Sequence, residues 1–194
     1  LGNLRAHLIA GAETLEGDTI TRIVDAPSGP VAVAVTLRSD AVTATIGSND
    51  QADVAAVTTI IRRWFDLELD PSLVEAVLGP DPVIGPLVRA RPGLRVIGSP
   101  NGFETAVMTV LGQQVSVAGA RLTLSRLLGP AAPGDLRGFP EAATVAELPD
   151  TAFRMPAARR ETIRALAQAV ADGKLDLEPG ADREESVARL LEVP

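Results

Sequence analysis

Apolar residues change their spacing along this chain, and the change divides it into two parts. Between residues 13 and 46 they alternate with polar ones, which is typical of strands that bury one face. Turn residues such as Pro27, Gly29 and Asp40 interrupt the alternation. The sequence therefore predicts an antiparallel sheet covered on one side, with strands at 19–24, 31–37 and 41–46 and a short additional strand at 12–15.

Beyond residue 47 the apolar residues recur every three or four positions, which predicts helices. The run Gly47-Ser48-Asn49-Asp50 ends the sheet and caps a helix, Asp70 and Asp182 are placed to cap two others, and Pro71 stands at a first helical position. Residues 1–9 are typical of the last part of a helix. Further helices are predicted at 54–65, 71–78, 100–111, 115–128, 157–171 and 186–191, with a Gly- and Pro-rich connection at 79–100 and a short turn at 145–148.

These patterns indicate an α+β fold in two units. We predict an amino-terminal α+β domain at residues 1–88, in which the sheet packs against helices. We predict a second, all-helical domain at residues 89–194, because no convincing strand pattern follows the connection.

The sharpest change of pattern falls within residues 103–119. Phe103, Val107 and Leu111 follow the spacing of a helix buried on one face, and the pattern then stops at Gly112-Gln113-Gln114. Such a break at the end of a core helix has two interpretations. It is either a solvated connection between two helices or a place where the protein presents polar atoms to a ligand.

Composition narrows the chemistry that the chain can perform. It has no cysteine, which excludes disulfides and thiolate sites, and the single histidine, His7, argues against a His-rich metal site or a Ser-His-Asp triad. No apolar run reaches the roughly 18 residues of a membrane helix. We therefore expect no metal, no cofactor and no membrane association. The lack of cysteine is compatible with a reducing cytosol, and we expect a monomer in the cytoplasm. Because the chain starts with Leu in the middle of an apolar pattern, we expect it to be part of a longer parent protein.

Charge is distributed unevenly along the chain. The net charge of −7 argues mildly against a nucleic-acid partner, yet residues 89–164 hold ten basic residues, all arginine, against six acidic ones. Arginine is the cation that binds phosphate through two parallel hydrogen bonds. This block is therefore either an ordinary solvated surface or a phosphate-binding one.

The segment 103–118 resembles the AlkA-type DNA-3-methyladenine glycosylases, which belong to the helix-hairpin-helix glycosylase superfamily. The resemblance extends in family order over nearly all 194 residues. It implies an antiparallel sheet domain followed by an all-α helix-hairpin-helix glycosylase-type domain, with a DNA-facing cleft between them. It also implies hydrolysis of the N-glycosidic bond of alkylated bases in double-stranded DNA. The other matching segments are 63–67, 91–95, 155–160 and 190–194.

The resemblance also implies which residues meet DNA. The residue that wedges into the duplex maps onto Gln114, where an apolar side chain is common in the family, with Gln113 and Ser116 as neighbouring DNA contacts. The family's pocket aromatic maps onto Asn3. The Gly-rich hairpin and the catalytic Asp map beyond Pro194, so we expect no catalytic residue within these 194 residues and no activity from them alone.

Two other interpretations stay open. The chain can be a non-catalytic DNA-damage binding or regulatory module on a glycosylase scaffold, which Asn3 and the acidic net charge favour slightly. It can also be an α+β interaction domain without a role on DNA.

Overall fold

A computed structural model describes residues 2–38, 40–113, 115–129 and 135–194, with Asn3 described by its backbone alone. The amino-terminal part contains a helix, four strands and three further helices: α1 (Gly2–His7), β1 (Glu13–Glu16), β2 (Thr19–Ala26), β3 (Gly29–Leu37), β4 (Val42–Ile46), α2 (Gln51–Trp64), α3 (Pro71–Leu78) and α4 (Ile84–Ala90). The rest is helical: α5 (Gly102–Gly112), α6 (Val117–Leu127), α7 (Ala142–Glu147), a 3-10 turn (Asp150–Ala152), α8 (Ala157–Ala171) and α9 (Arg183–Leu191).

The strands form one antiparallel sheet in the order β1-β2-β3-β4. On β2, Ile20 and Val24 are buried and alternate with partly exposed residues, while β4 has no buried residue. Helix α2 covers the buried face with Val57 and Ile61. The predicted α+β class and the sheet covered on one side are confirmed.

Helix ends follow the predicted capping residues. The side chain of Asp50 accepts hydrogen bonds from the amides of Ala52 at 2.7 Å and Asp53 at 3.3 Å, which caps α2. Asp70 and Asp182 cap α3 and α9 in the same way.

Two short helices lie where the sequence predicted irregular chain. Helix α4 lies within the predicted connection 79–100, and α7 replaces the predicted turn at 145–148. The connection contains Pro86, but the ring lies in the first turn of α4, where a missing amide donor costs little. The carboxylate of Asp81 accepts from the amides of Val83 and Ile84, both at 2.8 Å, and this stabilises the start of α4.

The described residues form two hydrophobic cores. One lies between the sheet and α2, and the other lies among α5, α6, α7 and α8. Ile9 and Ala12, which connect α1 to β1, belong to the helical core. The amino-terminal segment therefore crosses between the cores, and the division at residues 88 and 89 stays a prediction. None of the described helices is long and apolar enough to cross a membrane.

A buried ion-pair triad joins the two cores. Arg22 of β2 donates from Nη1 to Glu13 Oε1 and from Nη2 to Glu104 Oε2, both at 2.7 Å, and no more than 9% of any of the three side chains is exposed. Glu13 lies opposite Arg22 across the β1–β2 pair, whereas Glu104 comes from α5. The guanidinium also lies 5.4 Å from the centroid of the Trp64 ring. Burial raises the pKa of the Glu13 carboxyl, and the positive charge of Arg22 opposes that rise.

Replacing Arg22 with Met in the parent protein should therefore destabilise it strongly. The substitution leaves two carboxylates buried without a cation, which costs about 3–5 kcal/mol of unfolding free energy. Urea unfolding followed by circular dichroism measures the loss. The triple variant R22M/E13Q/E104Q should recover part of it, because the two carboxylate charges are gone. A single R22M variant within about 1 kcal/mol of the wild type would contradict this account.

Candidate functional site

The polar break in the sequence pattern is a connection between two helices. Helix α5 ends at Gly112, and Gln113 leaves the helix with an extended backbone (φ −64°, ψ 128°). Helix α6 begins at Val117, so residues 113–116 form the connection, which we call the α5–α6 turn. Gln114, the residue predicted to wedge into DNA, lies outside the described residues. Gln113 is exposed, as a residue that contacts a ligand must be.

Ser116 begins helix α6. Its side-chain oxygen accepts a hydrogen bond from the amide of Gly119 at 3.1 Å, which satisfies one of the free amides of the first turn. The sequence analysis proposed Ser116 only as a DNA contact and missed the capping role, although a Ser just before an apolar helical run is the usual signal for it. Accepting from Gly119 leaves the hydroxyl proton free to donate to a second partner.

The other end of the α5–α6 turn is held by helix α8. Arg159, in the first turn of α8, donates from Nη2 to the backbone oxygen of Gln113 at 2.8 Å. The sequence placed Arg159 in a family-like segment and in the arginine-rich block 89–164, but it predicted no contact with Gln113. A contact between residues 46 positions apart has no signature in local spacing.

Helix α1 lies beside this turn because α6 binds its carboxyl-terminal end. Arg121 donates to the carbonyl of Leu8 and, at 3.2 Å, to that of Ala6, and Ser125 donates to Ala10 at 2.8 Å. The carbonyls of Ala6 and Leu8 are at the end of the short α1, where the helix leaves them free, and Ala10 lies in the turn that follows. The position of α1 relative to the turn is therefore set by side chains of α6.

A cavity of about 210 Å³ lies between α1 and the α5–α6 turn. His7 lines it from α1, Val115 from the turn and Leu124 from α6, and most of its wall is apolar. Asn3 precedes His7 by about one helical turn on α1. The fold thus brings the helix that carries Asn3 to the same cavity as the turn that carries Gln113.

A larger cavity of about 520 Å³ lies on the side of α5 where the ion-pair triad is buried. Leu4, His7, Trp64 and Met108 contribute to its wall, together with the triad residues. Its two buried carboxylates already accept hydrogen bonds from Arg22, so they serve the junction between the cores. Among the described residues, no group of three or more His, Cys, Asp or Glu side chains is placed to hold a metal ion.

Aromatic side chains are all committed to packing. The chain has four Phe, one Trp and no Tyr. Each of these five residues is at most 9% exposed, and the Phe103 and Phe139 rings contact each other edge to face at 5.8 Å. Of these five residues, Trp64 lines the larger cavity, and the guanidinium of Arg22 lies 5.4 Å from the centroid of its ring, whereas none of the five lines the smaller cavity.

Comparison with known proteins gives a consistent set of relatives. The family profile of the AlkA N-terminal domain matches residues 1–101. The whole chain is 31% identical to DNA-3-methyladenine glycosylase 2 of Escherichia coli and covers 70% of that protein. It is 33% identical to the probable bifunctional transcriptional activator/DNA repair enzyme AlkA of Mycobacterium tuberculosis, of whose length it spans 40%.

A solved structure shares the fold. The 3-methyladenine DNA-glycosylase from Archaeoglobus fulgidus superposes on 97% of this chain with a TM-score of 0.78 and 18% sequence identity, and the match covers 67% of that protein. The sheet-then-helices architecture expected from the sequence is thereby confirmed.

Replacing Ser116 with Ala in the parent protein should lower the free energy of unfolding by about 1 kcal/mol, because the Gly119 amide loses its cap. Chemical unfolding measures the loss. The matched variant Ser116→Asp should restore stability, since a carboxylate caps as well as a hydroxyl and also favours a helix N-terminus. An equal loss in both variants would show that the bond to Gly119 is not the source of the effect.

Proposed function

Because the chain belongs to the AlkA-type DNA-3-methyladenine glycosylase family, we propose that its parent protein performs base-excision repair. It hydrolyses the N-glycosidic bond of alkylated bases of the 3-methyladenine type in double-stranded DNA. The observation that carries this proposal is the 31% identity to the Escherichia coli glycosylase, which extends over 100% of this chain. The protein acts as a monofunctional hydrolase, as a monomer in the cytoplasm and without a cofactor.

The α5–α6 turn is the part of the chain that meets the duplex. An alkylated base inside a duplex is out of reach, so its nucleotide is flipped out at a cost of about a few kcal/mol. The side chain of Gln114 fills the gap and offers hydrogen bonds to the unpaired partner base. Gln113 supports it, and the free proton of the Ser116 hydroxyl donates to a phosphate oxygen.

The base pocket lies where α1 faces the turn. Asn3 takes the place of an aromatic residue there, and the aromatic side chains of these 194 residues are buried in the cores. An alkylated purine carries positive charge, which favours a π face. No Phe or Trp of this chain lines the cavity between α1 and the turn, so their π face is missing from this part of the pocket.

The catalytic carboxylate is assigned by the family resemblance to sequence beyond Pro194. The buried carboxylates described within the chain have other roles. Glu13 and Glu104 bind Arg22, and Asp53 accepts from the hydroxyls of Ser28 at 2.5 Å and Ser48 at 2.7 Å. Glu13, Glu104 and Asp53 therefore stabilise the fold. An Asp later in the parent protein stabilises positive charge on the sugar.

Replacing Gln114 with Ala in the parent protein should weaken binding to duplex DNA with an abasic-site analogue by about tenfold. The loss corresponds to one stacking or hydrogen-bonding contact with a base, worth about 1–3 kcal/mol. Fluorescence anisotropy with damaged and undamaged duplexes measures it. Gln114→Leu should retain more affinity, because an apolar side chain still fills the gap. Unchanged affinity in the Ala variant would remove Gln114 as the wedge.

Residues 1–194 by themselves should release no base from methylated DNA, whereas the parent protein should release 3-methyladenine. Chromatography of the released bases measures both. Release by the 194 residues alone would mean that a carboxylate within the chain is catalytic, and it would overturn the assignment to a later Asp.

A non-catalytic damage-binding module is the second candidate. Asn3 favours it, because it supplies no stacking face at the position where the family has an aromatic residue. Absence of base release by the parent protein, together with preferential binding to damaged duplex, would select this candidate. Absence of any salt-dependent binding to duplex DNA would exclude both candidates.

A further inference from the structure

Arg159 occupies a position that is unfavourable for its own helix. It is the third residue of α8, and the first turn of that helix has no acidic residue and no side-chain cap. A cation at a helix N-terminus is opposed by the helix dipole. An unfavourable charge at a helix end is often compensated by a contact that the same side chain makes elsewhere in the fold.

The compensating contact is with the end of helix α5. The guanidinium of Arg159 donates to the backbone oxygen of Gln113 at 2.8 Å, beside the end of α5, where free carbonyls favour a cation. Its neighbours on α8 are used differently. Arg160 and Arg164 both pair with Asp150, at 3.1 and 2.6 Å.

The held carbonyl belongs to the residue directly before Gln114. Ser116 anchors the other end of the turn through its bond to Gly119. Gln113 and Ser116, which lie on either side of Gln114, therefore each have a backbone or side-chain group bound within the protein before DNA arrives. Because Gln113 and Ser116 are already held, ordering them does not reduce the affinity for DNA.

We propose that Arg159 is a positioning residue for base flipping: it holds Gln113, the residue before Gln114, so that Gln114 enters the duplex in one orientation. The inference rests on the proposed function. In this account Arg159 affects DNA binding by holding the Gln113 carbonyl, and it does not contact a DNA phosphate.

The two modes of action differ in their dependence on salt. A direct phosphate contact releases a counterion, so its loss makes the slope of log K against log salt shallower by about 0.9 and weakens binding to every duplex equally. A positioning contact affects only complexes in which the wedge is inserted. Its loss lowers the preference for damaged DNA and leaves the slope unchanged.

The test uses Arg159→Met and Arg159→Lys in the parent protein, with Arg154→Ala as a control that removes the same charge from an exposed residue five positions earlier. Affinities for an abasic-analogue duplex and an undamaged duplex are measured over a range of salt concentrations. Arg159→Met should lose about tenfold in preference for the abasic duplex at unchanged slope, as expected for a hydrogen bond from a charged group. Arg159→Lys should regain part of the preference, and Arg154→Ala should keep all of it.

A double variant tests the path of the effect. In the background of Gln114→Ala, the Arg159→Met substitution should cause little further loss, because both act on the same insertion step. Additive losses would mean that Arg159 acts independently of the wedge, and they would overturn the inference.

Three other outcomes also overturn it. One is an unchanged preference in Arg159→Met, and another is an equal loss on both duplexes with a slope that is shallower by about 0.9. These two leave the proposed function intact. A wild-type protein without any preference for the abasic duplex overturns the proposed function and this inference together.

If circular dichroism shows that Arg159→Met does not fold, Arg159→Gln takes its place. Glutamine removes the charge but keeps an N–H donor for the Gln113 carbonyl. Positioning then predicts an unchanged salt slope with part of the preference retained, whereas a slope shallower by about 0.9 overturns the inference.

Discussion

The rest of the structure depends on the buried ion pairs that Arg22 forms with Glu13 and Glu104. Arg22 lies on the sheet, yet one of its two carboxylate partners belongs to helix α5, so it ties the orientation of that helix to the strands. Helix α5 leads directly into the α5–α6 turn. A charge triad with no more than 9% exposure of any member tolerates little displacement, because moving one group leaves another buried without its partner. The ion pair of Glu104, about ten residues before the turn, therefore helps to set the position of the turn.

Other arginines also join separate parts of the chain, by donating hydrogen bonds to backbone carbonyls. Arg95 donates to the carbonyl of Leu69 at 2.9 Å, Arg121 to that of Ala6 at 3.2 Å and Arg137 to that of Leu128 at 3.3 Å. Arg159 does the same for Gln113. A planar group with five donors suits free carbonyls at the ends of helices and loops as well as it suits phosphate. Much of the arginine block that the sequence analysis left open between solvent and phosphate thus joins elements within the protein.

The predictions that the structure confirmed depend on interactions between residues close together in the sequence. Strand alternation and the Asp50, Asp70 and Asp182 caps are set by residues within a few positions of one another, so the sheet, α2, α3 and α9 could be found from sequence. Helix α4 was missed because Gly and Pro in 79–90 are usually read as breakers, although Pro86 falls in the first turn, where it is tolerated. The signal for Arg22 was present in the strand pattern. It shares the buried face of β2 with Ile20 and Val24, and an inward-facing charge in a strand requires a buried partner.

The sequence by itself determined the fold class, the order of the elements and the break after Gly112, because periodicity, capping and helix-breaking are properties of neighbouring residues. Its ordered likeness to a known family pointed to the function and to Gln113, Gln114, Ser116 and Asn3. Only the tertiary structure decided which distant groups meet. It paired Arg22 with Glu104, brought α1 to the cavity beside the α5–α6 turn and placed Arg159 on the carbonyl of Gln113. These contacts join residues 46 to more than 100 positions apart, and no local pattern encodes a distance that arises only when two cores pack together.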